Sequence, residues 1–130
     1  MSWILALGLF AALFDLPTTA AVHELTMDVP DVGRVLYAVS VPRGYDPATP
    51  APLVVVLHSG GERMRYYGAA FTRFLAEPAL RDLRPIMLAP DCPTAAWSDP
   101  AADAAVMAIV GEAMKSYNID RRRVLVTGFS

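Results

Sequence analysis

The sequence has few cysteines and few charges, and these shortages exclude several classes of protein. The single cysteine, Cys92, makes an intramolecular disulfide impossible, and we expect no cysteine-ligated metal site. A formal net charge of -2 gives no electrostatic basis for nucleic-acid binding. We interpret the basic run at Arg121–Arg123 as a solvated turn before a strand. Hydrophobic residues make up 55% of the chain and charged residues 18%, so we expect a folded domain rather than disorder.

The N-terminal segment is apolar and resembles an export signal. Residues 3–14 form an almost unbroken apolar run, which Asp15 and Pro17 end before the small residues 18–21. Such a run is too short to span a bilayer and, followed by small residues, is typical of a secretory signal. Although no Lys or Arg precedes it, we expect residues 1–21 to be a signal peptide and residues 22–130 to be the folded domain. The expected location is secreted or periplasmic, without a stable membrane anchor; the alternatives are a buried N-terminal helix or a mis-assigned start.

The rest of the chain alternates strand-like and helical segments. The continuous apolar run at 53–57 is typical of a strand buried on both faces, as in a parallel sheet. Composition and bounding prolines predict further strands at 35–41, 85–90 and 124–126. Apolar spacing predicts one helix over 66–75, bounded by Pro78, and a second over 101–117, with Asp99 as its cap and Pro100 in its first turn. This alternation predicts an α/β fold with a mostly parallel sheet and helices on both faces.

Two loops that follow predicted strands have the composition of a catalytic site. In the first, His58–Arg63, the glycines allow backbone N–H groups to face a developing negative charge. In the second, Ser130 follows Gly128 and Phe129 at the end of a strand, as the serine does in a nucleophile elbow. Because parallel strands place their carboxyl ends at one edge of the sheet, we expect the two loops to form one site.

These motifs together resemble a family of esterases. The segments that carry the resemblance are Pro42–Pro47, Pro52–Arg63, Ala89–Pro93 with Trp97, and Ile119–Ser130. In order and spacing they are similar to the phospholipase/carboxylesterase-like and dienelactone-hydrolase-like esterases of the α/β-hydrolase superfamily, especially the exported "predicted peptidase" branch. The resemblance covers roughly residues 42 to 130. It implies that the chain is the N-terminal part of such a hydrolase and stops at the nucleophile.

The resemblance also implies roles for individual residues. Ser130 matches the nucleophile, which attacks a small-molecule or polymer carboxylic ester to form an acyl-enzyme, and the Gly60 N–H matches an oxyanion donor. His58 and Gly61 match the supporting loop, where the histidine is not the general base, and Gly128 matches the elbow. Ser59 stands where the family has glycine. The resemblance implies no metal and no other cofactor.

The acid and histidine of the triad are expected beyond residue 130, in the order Ser, Asp/Glu, His. We therefore expect the 130-residue chain to be inactive by itself and the flank of its last strand to be uncovered. Two alternatives stay open. Val124–Gly128 also resembles the first strand of a short-chain dehydrogenase, which would make the protein a nucleotide-binding oxidoreductase, and the chain could instead be a non-catalytic hydrolase-like module.

Overall fold

A five-stranded sheet with helices on both faces forms the fold. The computed structural model describes residues 15–130, so most of the predicted signal peptide lies outside the described residues. The strands are β1 (Ala21–Val29), β2 (Gly33–Val41), β3 (Ala51–Leu57), β4 (Ile86–Pro90) and β5 (Ile119–Gly128), and their order in the sheet is β1-β2-β4-β3-β5. β4, β3 and β5 run parallel, whereas β1 and β2 are antiparallel to their neighbours. The predicted α/β class is confirmed.

The edge strand β1 is absent from the sequence prediction. Its exposed and half-buried positions alternate, because only one face of the strand packs on the domain. Polar residues at Glu24, Thr26 and Asp28 interrupt any apolar run, and their strict alternation with apolar residues is the period-two signal that the sequence prediction missed. A tight turn at Asp31, whose φ is 62°, then folds the chain back into β2. Strands β1 and β2 therefore form a hairpin that widens the parallel part of the sheet.

The first helical segment continues past the predicted end. It consists of α1 (Tyr67–Phe71), a π-helical turn (Thr72–Ala76), α2 (Glu77–Leu80) and a 3-10 turn (Arg81–Leu83). The expectation that Pro78 bounds the helix is wrong, because the π turn places Pro78 in the first turn of a new α-helical segment. A proline is tolerated in a first turn, where its missing N–H has no intrahelical partner to lose.

The second predicted helix is present as α3 (Pro100–Ser116). Asp99 has the extended backbone of an N-cap residue, but its side chain does not cap the helix. Its carboxylate accepts a hydrogen bond from the Ala96 N–H at 3.3 Å, and its backbone carbonyl accepts the Asp103 N–H at 3.1 Å. The predicted start of the helix is thus confirmed, while the predicted side-chain cap is wrong because the preceding turn engages the carboxylate.

Each face of the sheet carries its own apolar core. The α3 face buries Leu53, Ile86, Leu88 and Ile109, and the α1 face buries Val54, Val56, Met87 and Ala69. Successive residues of β3 therefore point into opposite cores, and residues 53–56 are at most 2% exposed. This two-sided burial is the arrangement that the continuous apolar run predicted.

The last strand, β5, is paired along one edge and contains no buried residue. Strand β5 pairs with β3 and carries exposed apolar side chains at Val124, Leu125 and Val126, which agrees with the expected uncovered flank. The interpretation of Arg121–Arg123 as a turn is wrong, because all three lie inside β5. All three are exposed, as arginines ordinarily are, and Arg123 forms an ion pair with Asp120 at 2.8 Å. The pairing of this part of β5 with β3 is irregular between Ala51 and Leu53.

The residues just before β1 contact the folded domain. Leu16 is buried with the core on the α3 face, and the Tyr117 hydroxyl donates a 2.6 Å hydrogen bond to the backbone carbonyl of Pro17. Burial is the main factor that raises the pKa of the Tyr117 phenol above its ordinary value, followed by the charges of Tyr45 and Tyr37. Leu16 and Pro17 both lie within residues 1–21, the segment expected to be a signal peptide. Within residues 15–130, the helices are too short or too polar to cross a membrane.

Candidate active site

The two loops singled out in the sequence meet at the carboxyl edge of the sheet. Leu57 and Gly128 are paired at the ends of the parallel strands β3 and β5, so His58 and Phe129 leave the sheet at the same level. The Gly60 N–H donates a 3.1 Å hydrogen bond to the backbone carbonyl of Ser130. The residue types expected for an oxyanion donor and a nucleophile are therefore one hydrogen bond apart.

Ser130 has the backbone conformation of a sharp turn. Its φ is 52°, in the left-handed region that costs a non-glycine residue about 1 kcal/mol. Gly128 prepares this turn, because a Cβ at that position would lie 3.1 Å from the carbonyl oxygen of Leu57. The small residue lets β5 approach β3 closely just before the chain bends. A positive φ at an exposed serine that directly follows a parallel strand is one feature that a nucleophile elbow requires.

His58 is buried at the base of the first loop, and both of its ring nitrogens are engaged. The Cys92 N–H donates to Nε2 at 3.0 Å, so Nε2 is the acceptor and Nδ1 carries the proton. Nδ1 in turn donates to the Ser59 carbonyl at 2.8 Å. Because neither nitrogen is free to take a proton from Ser130, the arrangement agrees with the expected structural role of His58.

Aromatic side chains hold the His58 ring from two sides. The ring centroids of Tyr67 and Trp97 lie 4.7 Å and 5.0 Å from that of His58. Trp97 also donates its indole N–H to the His58 carbonyl at 3.0 Å. Trp97 thus packs against the loop, and its indole N–H bonds the loop backbone.

Ser59 has a partner that the sequence did not indicate. Its hydroxyl lies 3.0 Å from the Tyr67 hydroxyl, so the side chain that replaces the family's glycine is tied to the start of α1. Gly61, with φ of 110°, is the residue of this loop whose backbone requires glycine. A Cβ on Gly60 would meet Ser130 at an ordinary 3.8 Å. Gly61 therefore fixes the path of the loop, and Gly60 presents the amide.

Two supporting residues, Gly68 and Asp91, were missed in the sequence. A carboxylate oxygen of Asp91 accepts the Gly68 N–H at 2.8 Å, which joins the end of β4 to the start of α1. A Cβ on Gly68 would collide with the carbonyl oxygens of Ala89 and Pro90, the second at 2.8 Å. The available signals were an isolated glycine within a helical pattern and an Asp just after a strand. Within residues 15–130, no three His, Cys, Asp or Glu side chains cluster closely enough to hold a metal.

For a longer form of the protein with the ester hydrolysis that is proposed below, we expect His58→Ala to lower kcat about 100-fold with little change in KM. The substitution removes the two hydrogen bonds of the His58 ring that hold the Gly60 loop. The Gly60 N–H is then displaced, whereas the residues that bind the substrate are unchanged. The measurement is steady-state turnover per active site titrated with a serine-directed probe, which corrects for unfolded protein. Trp97→Phe keeps the ring beside His58 and serves as the milder control. Equal kcat in wild type and His58→Ala would show that the loop holds its position without the histidine.

Comparisons with known proteins identify the fold. No family model matches the chain, and no curated protein matches it. A thermostable esterase of known structure is 29% identical, with a TM-score of 0.66 over 84% of this chain and 34% of the esterase. A poly(3-hydroxybutyrate) depolymerase from Bordetella parapertussis is 20% identical, with a TM-score of 0.65 over 86% and 44% of the two chains. A bacterial heroin esterase is 25% identical, with a TM-score of 0.59 over 91% and 38%.

The chain has the fold of the N-terminal part of a carboxylesterase-like α/β-hydrolase. It spans less than half the length of each of these three neighbours. The predicted resemblance and the predicted fold class are both confirmed by these structures.

Proposed function

We propose that this chain supplies the nucleophile and one oxyanion donor of a serine hydrolase that cleaves carboxylic esters through an acyl-enzyme. Ser130 attacks the ester carbonyl, and the Gly60 N–H stabilises the oxyanion that forms. The observation that supports the proposal best is the meeting of the Gly60 amide with the strained Ser130 at the carboxyl edge of the sheet. The bond from Gly60 to the Ser130 carbonyl must open for the amide to face a substrate.

We further propose that the general base comes from residues outside this sequence. The sequence has two histidines. His58 has both nitrogens engaged, and His23 lies in the edge strand β1, where its Nε2 lies 2.8 Å from the Thr19 carbonyl oxygen. Neither is placed to accept the Ser130 proton, and without a base a serine hydroxyl is a weak nucleophile. The 130 residues by themselves are therefore inactive, whereas a protein that also contains the rest of the fold is active.

Covalent labelling tests this proposal directly. A longer protein that includes the missing part of the fold is incubated with a fluorophosphonate probe, digested and analysed by mass spectrometry. We expect one modified peptide, with the probe on Ser130, and turnover of 4-nitrophenyl acetate that labelling abolishes. The 130-residue chain, treated in parallel, is expected to show neither. Labelling at another serine, or turnover that survives complete modification of Ser130, contradicts the assignment.

No observation favours the oxidoreductase alternative. Strand β5 follows two strand–helix units, whereas the dinucleotide-binding strand of a short-chain dehydrogenase stands first. The solved structures compared above are esterases and a depolymerase. A non-catalytic hydrolase-like module predicts an unlabelled Ser130, so the same labelling experiment separates it from the enzyme.

A further inference from the structure

A second cavity lies at the opposite end of the sheet from the candidate active site. Its volume is about 650 Å³, within the range of small-molecule pockets. Its lining includes Ser40 and Val41 from the carboxyl end of β2, and Pro85 from just before β4. Because β2 and β4 are antiparallel, these residues lie at the amino edge of the parallel strands, away from the Gly60 loop.

The lining of this cavity combines positive charge with an apolar floor. Four arginines face two carboxylates among the lining side chains, namely Arg43, Arg73, Arg81 and Arg84 against Glu77 and Asp82. Arg73 is held by Glu24 at 2.9 Å, and Arg81 is held by Glu77 at 3.0 Å. Within residues 15–130, Arg43 and Arg84 form no ion pair. Val22 and Pro42, which are partly exposed, supply apolar surface in the same lining.

Ser40 adds a hydroxyl to the lining of the cavity. The residue is 4% exposed, and its register partners Val22 and Met87 pack in the core on the α1 face, so its side chain points to the same face. Among the described residues no buried side-chain oxygen or nitrogen lacks a partner, so the role of this hydroxyl is to offer a donor to a ligand in the cavity and not to relieve an unsatisfied group.

We propose that this cavity binds an organic monocarboxylate with an apolar body. The guanidinium groups of Arg43 and Arg84 donate to the carboxylate, an anion whose planar shape suits arginine. The Ser40 hydroxyl donates a further hydrogen bond, and the hydrocarbon part of the ligand lies on Val22 and Pro42. A small inorganic anion fits less well, because it leaves the apolar floor uncovered. This inference does not depend on the proposed ester hydrolysis, since it uses none of the residues at the Gly60 loop.

Calorimetric titration of the longer protein with octanoate tests the proposal. Octanamide serves as the neutral probe of the same length, and inorganic phosphate serves as the anion without an apolar body. We expect octanoate to bind at least about tenfold more tightly than either probe. Octanamide cannot form the charge-assisted hydrogen bonds, and phosphate has no hydrocarbon chain to contact the apolar lining. Arg43→Gln and Arg84→Gln each weaken octanoate binding about tenfold and leave octanamide binding unchanged. Ser40→Val weakens octanoate binding alone.

The matched control is Arg34→Gln, which makes the same change in charge at an exposed arginine outside this cavity. It is expected to bind octanoate as the wild type does. Titration of protein whose Ser130 has been labelled excludes binding at the candidate active site. The proposal is overturned if octanamide or phosphate binds as tightly as octanoate, or if Arg34→Gln weakens binding as much as Arg84→Gln. Absence of octanoate binding in correctly folded wild-type protein also overturns it, because the cavity is then closed by other residues.

Discussion

Replacing Ser130 with alanine in a longer, active form of the protein is expected to lower kcat for an ester by at least about 10⁴-fold. The loss is large because covalent attack requires the hydroxyl of Ser130. Ser130 is the residue after β5 that has a positive φ. The free energy of unfolding is expected to change by less than about 1 kcal/mol, since serine and alanine both carry a Cβ at this positive φ. Stopped-flow and steady-state turnover of 4-nitrophenyl acetate measure the first effect, and denaturant unfolding measures the second.

Ser59→Ala is the matched control for this experiment. Ser59 lies in the adjoining loop, and its hydroxyl contacts Tyr67, so its loss removes a hydrogen bond without removing the proposed nucleophile. We expect its kcat to stay within about tenfold of wild type, the effect of roughly one neutral hydrogen bond. The proposed mechanism is wrong if Ser130→Ala retains activity. If Ser59→Ala abolishes turnover while Ser130→Ala does not, the nucleophile is in the first loop.

Gly68→Ala is expected to reduce the free energy of unfolding by about 3 kcal/mol or more. The added methyl group collides with the carbonyl oxygens of Ala89 and Pro90, which belong to a buried strand and cannot move aside as a flexible side chain can. Displacing α1 also disturbs the Asp91 bond to the Gly68 N–H. Urea unfolding of the longer protein, followed by tryptophan fluorescence, measures the effect.

Gly111→Ala tests whether the collision, rather than the loss of glycine, causes this effect. Gly111 lies inside α3 with no atom within 4 Å of its would-be Cβ, and alanine is the better helix former. This variant is expected to be more stable than wild type by about 0.5 to 1 kcal/mol. If Gly68→Ala is as stable as wild type, or if Gly111→Ala is destabilised equally, close packing of α1 on β4 is not the reason for the glycine.

The sequence predicts the parallel part of the fold because each strand and helix there is marked by a short run of neighbouring residues. Residues 53–57 are apolar without interruption, and only a strand covered on both faces accommodates such a run. The start of α3 is equally readable from Asp99-Pro100, since proline suits a first turn. Strand β1 carries a different local signal, the strict alternation of polar and apolar residues over 24–29, which is typical of a half-buried strand. The prediction missed it because it relied on continuous apolar runs, and only the pairing with β2 is beyond any local pattern.

The sequence predicts the candidate site only where a residue type marks unusual backbone geometry. The glycines around Gly60 and the serine after Gly128 mark special backbone geometry, and the structure brings these two loops together. The contacts that hold these loops could not be predicted, because they join residues far apart in the chain. Cys92 contributes only its amide to His58, and an amide has no residue signature in a sequence. The partnership of Ser59 with Tyr67 likewise depends on where α1 begins.

The hydrogen bond between Tyr117 and Pro17 can form only late in the synthesis of the chain. It joins residues 100 positions apart, so Pro17 cannot gain this bond until Tyr117, at the end of α3, has left the ribosome. At about 5 to 20 residues per second, that interval lasts roughly 5 to 20 s. Throughout it, the Pro17 carbonyl lacks the donor that it has in the folded protein. Completion of α3 supplies that donor, because Tyr117 is the residue that ends the helix.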